Sequence, residues 1–109
     1  MPSSKDYLTY VLDLLREVSG ISFKKMMGEY ILYKDDKIFG GIYDNRFLVK
    51  KVKSLEEYEF KEQIPYPGAK PMLLVDIENP GEIKEIVQLI YQSKWMKSSP
   101  IGLLILFHQ

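Results

Sequence analysis

The chain contains no cysteine, which excludes disulfides, thiol catalysis, zinc–thiolate sites and iron–sulfur clusters. Histidine is almost absent as well. His108 is the only one, and a residue next to a chain end is a poor position for a rigidly held base. Neither of the glycine-rich phosphate-loop patterns, GxxxxGK[ST] or GxGxxG, occurs. The sequence therefore predicts a protein that is not an enzyme and has no cofactor, metal or small-molecule substrate.

Long apolar runs and a net charge are also missing. No run approaches the ~20 apolar residues that span a bilayer, and the first residues do not resemble a signal peptide, so we expect a cytoplasmic protein without membrane contact. The 15 basic and 15 acidic residues cancel. They are unevenly spread: residues 1–53 hold ten Lys/Arg and seven Asp/Glu, a net of +3, whereas residues 54–109 hold five and eight, a net of −3. This asymmetry favours a basic patch in the first half.

What is present predicts one small domain with an order of roughly αβββαβα. Apolar residues at helical spacing indicate a helix over 4–18. The two-residue polar turns Asp35-Asp36 and Asp44-Asn45 separate apolar runs at 29–34, 37–43 and 46–52, as in an antiparallel meander. We expect an α+β fold: a two-layer sandwich with helices on one face of the sheet.

The second half begins with a short charged helix over 54–62, in which Ser54 and Glu57 are spaced as a capping box. Three prolines make 64–71 a rigid loop, and 72–77 is a short strand. Asn79 is predicted to cap a final helix that starts at Pro80 and runs to about 97. Its buried stripe is predicted to be Ile83, Ile86, Val87 and Ile90.

Alternation along the three meander strands predicts which side chains share a face. The face packed against the helices is predicted to carry Ile31, Tyr33, Ile38, Ile42, Phe47 and Val49. The opposite, open face is predicted to carry Tyr30, Leu32, Phe39, Tyr43 and Leu48, together with Lys34, Lys37, Arg46 and Lys50. Aromatic rings among cations resemble platforms that stack single-stranded bases and contact phosphates. The alternative is a sheet face covered by a loop, by the C-terminal segment or by a second subunit.

Two glycines in mid-strand, Gly40 and Gly41, weaken a strand and need a structural reason. Gly40 is predicted to face the core and admit a helix closely; the alternative is a bulge that exposes backbone N–H groups to a ligand. Asp76 and Glu78 could face a hard cation together, but a third ligand is missing. Residues 101–109 form an apolar C-terminal tail, predicted to be an added strand in its own fold or dimer, or else a docking peptide.

Specific segments resemble the TfoX N-terminal domain family. They are Lys25-Met26-Met27-Gly28-Glu29-Tyr30, Lys37-Ile38-Phe39-Gly40-Gly41-Ile42, Leu48-Val49-Lys50, Tyr66-Pro67-Gly68-Ala69-Lys70 and Met72-Leu73. The resemblance spans about 4–95 and implies a stand-alone family domain over 1–100 with a two-layer fold like that of secretion chaperones. It also implies a bacterial, regulatory context, since two-domain members control natural competence genes with a cAMP-receptor-type activator. It supplies no catalytic residues.

Two functions are therefore expected. The first is a non-catalytic regulatory or protein-interaction module that binds a protein partner or forms a homodimer. The alternative is nucleic-acid binding by the open sheet face. The candidate residues for either partner are Tyr30, Lys34, Lys37, Phe39, Tyr43, Arg46, Leu48 and Lys50.

Overall fold

A computed structural model describes the chain over residues 3–98, with side chains as far as Ser93. The first half contains α1 (Lys5–Leu14), β1 (Ile21–Met26), β2 (Glu29–Lys34), β3 (Lys37–Ile42) and β4 (Phe47–Val49). The second half contains a 3-10 helix (Lys53–Tyr58), β5 (Glu62–Gln63), β6 (Met72–Leu74) and α2 (Pro80–Ser98). The α+β class predicted from the sequence is confirmed, and the six strands form one antiparallel sheet of order β1-β2-β3-β4-β6-β5.

Helix α1 begins where a serine can satisfy a free backbone donor. The Oγ of Ser4 accepts a hydrogen bond from the N–H of Tyr7 at 3.1 Å, which is a standard N-cap. The helix then buries Leu8, Val11 and Leu14 at helical spacing. It ends at Leu14, earlier than the predicted residue 18, and the chain turns before entering β1.

Tight turns of two residues connect the first four strands. The central residues of these turns, Asp35-Asp36 and Asp44-Asn45, all have positive φ angles between 48° and 67°. Such angles suit Asp and Asn and match the twist of antiparallel strands. Both turns predicted from the sequence are confirmed, and Met27-Gly28 forms a similar turn between β1 and β2.

A β-bulge in β3 changes the pairing that alternation predicts. Lys34 and Tyr33 of β2 pair with Lys37 and Ile38, but Leu32 pairs with Gly40, so Phe39 is an extra residue in the ladder. An extra residue shifts every later pair by one position. Beyond the bulge Tyr30 therefore lies opposite Ile42, where the sequence predicted Gly41.

The bulge overturns part of the predicted division between the two faces. The predictions that Tyr30, Leu32 and Phe39 lie on the open face are wrong: these side chains are 5%, 0% and 2% exposed in the core that contacts the helices. Conversely, Ile31, Tyr33 and Ile38 were predicted to face the helices and do not belong to that core. The predictions for Ile42, Phe47 and Val49 are confirmed.

Gly40 is needed because of the neighbouring strand and not because a helix packs closely against it. A Cβ atom at this position would collide with the backbone oxygen of Leu48 and lie 3.0 Å from the Cα of Val49. Backbone atoms of a paired strand cannot move aside without breaking the ladder. The bulge of the alternative prediction is present next to Gly40, because Phe39 is the extra residue of the ladder.

The second half of the chain departs from the predictions at its short helix, at the two-residue strand β5, which was not predicted, and at β6, which ends at Leu74 instead of residue 77. Residues 53–58 form a 3-10 helix without a side-chain cap, so the predicted Ser54–Glu57 capping box is wrong. The cap of α2 is confirmed, since Oδ1 of Asn79 accepts a hydrogen bond from the N–H of Glu82 at 3.1 Å. The predicted stripe of α2 is also confirmed by burial of 99–100% of each side chain: Ile83, Ile86, Val87 and Ile90.

Glu29 links the start of the chain to the turn between β3 and β4. Its Oε1 accepts hydrogen bonds from the backbone N–H and the hydroxyl of Ser3, at 3.0 Å and 2.6 Å. Its two carboxylate oxygens also accept from the N–H of Asp44, at 3.2 Å and 3.1 Å. The hydroxyl of Ser3 in turn accepts from the N–H of Asn45 at 3.0 Å. This carboxylate is thus the junction between the N-terminus and the β3–β4 turn.

Within residues 3–98 no helix has both the length and the apolar character required to cross a membrane. The predicted tail over 101–109 and His108 lie outside the residues that the structure describes.

Candidate functional site

The structure separates the eight candidate residues instead of gathering them on one platform. Tyr30 and Phe39 are core residues, as described above. Leu48 does pair with Gly41 and Leu74 outside the helix-side core, but it is fully buried. None of these three side chains is therefore available to a partner in this conformation.

The predicted cations at the β2–β3 turn lie on the helix side of the sheet. The Nζ atom of Lys34 donates to the carbonyl of Ser19 at 3.0 Å and lies 5.4 Å from the ring centroid of Tyr91 on α2. Lys37 pairs with Lys34 across the turn and is half-buried. Because side chains directly opposite each other on neighbouring strands point to the same face, Lys37 also belongs to the helix side. The prediction of open-face lysines at these two positions is wrong.

Arg46 braces the proline-rich loop 64–71 against the sheet. Its guanidinium donates to Oε1 of Gln63 at 2.8 Å and to the carbonyl of Pro65 at 3.3 Å. It also donates to the carbonyl of Tyr43 at 3.0 Å. Since a guanidinium has five N–H donors in a fixed plane, these contacts fix the position of the loop. The role of Arg46 in this structure is to hold that loop.

The remaining two candidates, Tyr43 and Lys50, line a groove of about 720 Å³ between the sheet and the braced loop. We call it the loop groove. Its lining combines a floor from β3 with a wall from the loop and its flanks: Ile38, Gly40, Tyr43, Lys50, Lys51, Pro65, Tyr66, Ala69, Lys70, Pro71 and Met72. The groove thus lies on the sheet face that the helices leave uncovered, over which the loop extends.

Every charged residue in this lining is a lysine. Lys51 forms an ion pair with Glu62 at 2.9 Å. Lys50 is half-buried and Lys70 is exposed. Neither of these two lysines has an ion pair or a side-chain hydrogen bond with the residues that the structure describes. The groove therefore has positive charge that the described side chains do not neutralise.

Two tyrosine rings meet where the sheet joins the loop wall. The centroids of Tyr43 and Tyr66 are 6.2 Å apart and their planes are inclined by 49°. Burial, followed by the nearby Tyr66 and Glu29, raises the pKa of Tyr43, so its hydroxyl remains a hydrogen-bond donor at neutral pH. Tyr66 is 58% exposed and presents part of its ring to solvent.

Sequence reasoning missed the loop side of this groove. It treated 64–71 only as a rigid connection, although Tyr66 and Lys70 lie in the segment that carries the family resemblance. A ring and a cation between prolines are a recognisable signal, because prolines hold neighbouring side chains in a fixed arrangement. The sequence does not show which sheet surface the loop faces, because that contact forms only in the folded chain.

Acidic residues form no comparable site in the described part of the chain. Among those side chains, no group of three or more His, Cys, Asp or Glu residues is placed to hold a metal ion. Glu78, considered earlier with Asp76, instead accepts a hydrogen bond from the hydroxyl of Tyr10 at 3.0 Å.

A search against protein-family models finds no match. Among curated proteins, the chain is 35% identical over 78 residues to an uncharacterized 12.7 kDa protein in the trpE 5′ region of Spirochaeta aurantia. The aligned part covers 70% of this chain and 68% of that relative.

Proposed function

The chain belongs to the same family as the uncharacterized 12.7 kDa protein of Spirochaeta aurantia, and we propose that it is a non-catalytic protein-interaction module. Its binding site in this proposal is the loop groove, and its ligand is an extended acidic segment of a partner protein. The observation that carries the proposal is the lining itself, in which Lys50 and Lys70, without acidic partners among the described residues, lie beside aromatic and apolar side chains.

Charge alone does not produce useful affinity in such a groove. An exposed ion pair contributes about 0.2–1 kcal/mol, whereas micromolar binding requires about 8 kcal/mol. Apolar contact must therefore supply most of the affinity, and Ile38, Tyr66 and Met72 offer it in the groove. Aromatic residues and methionine are enriched in protein interfaces, and aromatic-lined grooves receive extended peptides.

The loop that forms the wall of the groove is also ordered without a ligand. Three prolines restrict the loop, and Arg46 fastens its start to the sheet. A wall that is already ordered loses little conformational entropy on binding, so more of the contact energy is retained as affinity. This supports the groove as a recognition site over a loop that folds only around its partner.

The family resemblance supports the same place on the molecule. Four of its segments contribute to the loop groove: the strand segment that contains Ile38 and Gly40, the segment that ends at Lys50, the loop segment from Tyr66 to Lys70, and Met72-Leu73. We propose that the chain is a TfoX N-terminal-like domain and that its partner belongs to a bacterial regulatory system. The lack of cysteine and of an internal histidine in the sequence supports a role in binding, without catalysis.

A second candidate ligand is single-stranded nucleic acid. It is favoured by one observation, the exposed ring of Tyr66 among lysines, since bases stack on such rings while cations contact the phosphates. The formal net charge of zero argues against it, because nucleic-acid-binding domains commonly have a basic excess.

The two ligands can be compared by NMR with the ¹⁵N-labelled chain. One probe is an extended peptide of alternating glutamate and leucine, and the other is an oligothymidylate of about ten nucleotides. Each is added to about 1 mM, a concentration at which even millimolar affinity is visible. The proposal predicts peptide-induced shifts at Tyr43, Lys50 and Lys70. The oligonucleotide is expected to bind more weakly.

A double variant tests the role of the lysines. Lys50→Ala with Lys70→Ala should weaken peptide binding about tenfold, which corresponds to about 0.7 kcal/mol for each lost ion pair. Lys84→Ala removes an exposed lysine of α2 and is the matched control, with no expected change. Tighter, salt-sensitive binding of the oligonucleotide would favour the second candidate. Failure of both probes to shift groove residues would contradict the proposed site.

A further inference from the structure

Strand β1 forms an edge of the sheet, with β2 as its single neighbour in the described part of the chain. Residues 22–27 are all exposed. They include the apolar side chains of Phe23 and Met26, which are 44% and 54% exposed. An edge of this kind offers unpaired backbone groups to another strand.

The hydrogen bond next to β1 shows which backbone groups face outward. The carbonyl of Gly20 accepts from the N–H of Asp35 at 2.9 Å, so Gly20 directs its backbone groups toward β2. The register from Ile21 to Met26 has no interruption, and backbone direction alternates along an antiparallel strand. Ile21, Phe23 and Lys25 therefore direct their N–H and C=O groups away from the sheet.

A lysine of β1 restricts how a second copy of the strand could pair there. Two-fold pairing must oppose outward-facing residues to each other, and only the registers centred on Phe23 and on Lys24 pair five of the six residues of β1. The register centred on Lys24 places this lysine opposite its own copy, and like charges in direct opposition are destabilising. A register centred on Phe23 instead places Lys24 opposite Ser22 and Lys25 opposite Ile21. Lys24 thus disfavours one of these two registers and leaves the register centred on Phe23.

We propose that two copies of the chain pair antiparallel through β1, about a two-fold axis at Phe23. The two six-stranded sheets would then form one continuous sheet. The outward N–H and C=O groups of Ile21, Phe23 and Lys25 find partners in the second copy. A two-fold contact of this kind is closed, so it stops at a dimer.

The side chains at the axis support this register. Phe23 lies on the helix side of the sheet, where its ring and the Tyr30 ring pack edge to face at a centroid distance of 5.9 Å. Across the axis, Phe23 of the second copy would cover the exposed part of this ring and extend the aromatic contact into both subunits. Cross-strand aromatic pairs stabilise sheets. This edge is formed by β1 and the loop groove by other elements, so the inference does not rest on the proposed function.

Replacement of Phe23 by a residue of either charge tests the proposal. Sedimentation velocity of the wild-type chain from about 5 to about 500 µM should show a species of twice the 12.8 kDa chain mass, in proportions that rise with concentration. Phe23→Glu and Phe23→Lys each place like charges opposite each other at the axis. Each variant alone should raise the dimer dissociation constant about tenfold or more. An equimolar mixture of the two variants should recover the dimer, because opposite charges then meet.

Ile64→Glu, at a loop residue that is 53% exposed, is the control and should dimerise like the wild type. Circular dichroism of each variant verifies that it is folded. A wild-type chain that stays monomeric across the range overturns the proposal. A dimer that Phe23→Glu leaves unchanged, or a mixture that fails to recover the dimer, overturns the pairing at Phe23.

Discussion

The bulge in β3 makes two adjacent residues respond very differently to truncation. Phe39 is 2% exposed in the core, whereas Ile38 is 37% exposed on the other face. Replacement of a buried phenylalanine by alanine costs about 3–5 kcal/mol, through lost burial and the cavity that remains. Ile38→Ala removes a side chain that stays partly in water, so we expect a cost of about 1 kcal/mol. Simple strand alternation predicts the opposite order.

Urea unfolding and thermal unfolding, both followed by circular dichroism, measure the two changes. With about 4 °C of melting temperature lost per kcal/mol in a domain of this size, Phe39→Ala should melt about 16 °C below the wild type. Ile38→Ala should melt about 4 °C below it. If Phe39→Ala is too unstable to fold, Phe39→Leu offers a milder change of about 1.5 kcal/mol at the same position.

Equal costs, or a larger cost for Ile38→Ala, would refute this reasoning. Either result would mean that Phe39 is not the extra residue of the ladder and that the two faces of β3 are assigned wrongly. Because the loop groove includes Ile38 in its lining, the same result would also remove the floor of the proposed binding site.

Two further predictions follow from polar contacts. Glu29→Ala should lower the free energy of unfolding by about 2 kcal/mol, since it removes the charged acceptor of the Asp44 N–H, whereas the N–H and hydroxyl of Ser3 still reach the carbonyls of Gly28 and Ile42; Glu29→Gln should retain part of this stability in the same urea assay. The hydroxyl of Tyr58 donates to Glu85 at 2.7 Å, which raises the pKa of Tyr58 to about 12. Its raised folded-state pKa stabilises the fold below pH 10, and this contribution is lost as the pH rises through about 12. In an NMR titration of the tyrosine ring carbons, Glu85→Gln should lower this pKa, and an unchanged value would contradict the assignment to Glu85.

Much of the fold was predictable because its causes are local. The caps of both helices come from single polar side chains, Ser4 and Asn79, that reach the free N–H groups nearby. The hairpins come from turn residues that tolerate positive φ, such as Asp35 and Asn45. The stripe of α2 follows from helical periodicity alone. Each of these features involves residues a few positions apart, so the sequence displays it directly.

The candidate site was less predictable because it depends on one residue in the ladder. Strand periodicity carries no mark of a bulge, and a single extra residue reverses the faces of the side chains before it relative to those after it. For this reason Tyr30 and Phe39 were assigned to a binding surface although they belong to the core. Gly40 was the one local sign, since a glycine in mid-strand often accompanies a bulge.

The amino-acid sequence by itself thus determined the two α-helices, the hairpin turns at Asp35-Asp36 and Asp44-Asn45 and the absence of thiol chemistry. The tertiary structure alone decided which faces those elements present and which distant segments meet. Arg46 contacts Gln63 and Pro65 across many residues of chain, and only that contact sets the proline loop over the sheet. The physical reason is one of range: caps and turns are satisfied within a few residues, whereas a groove needs two surfaces that the chain brings together only when it folds.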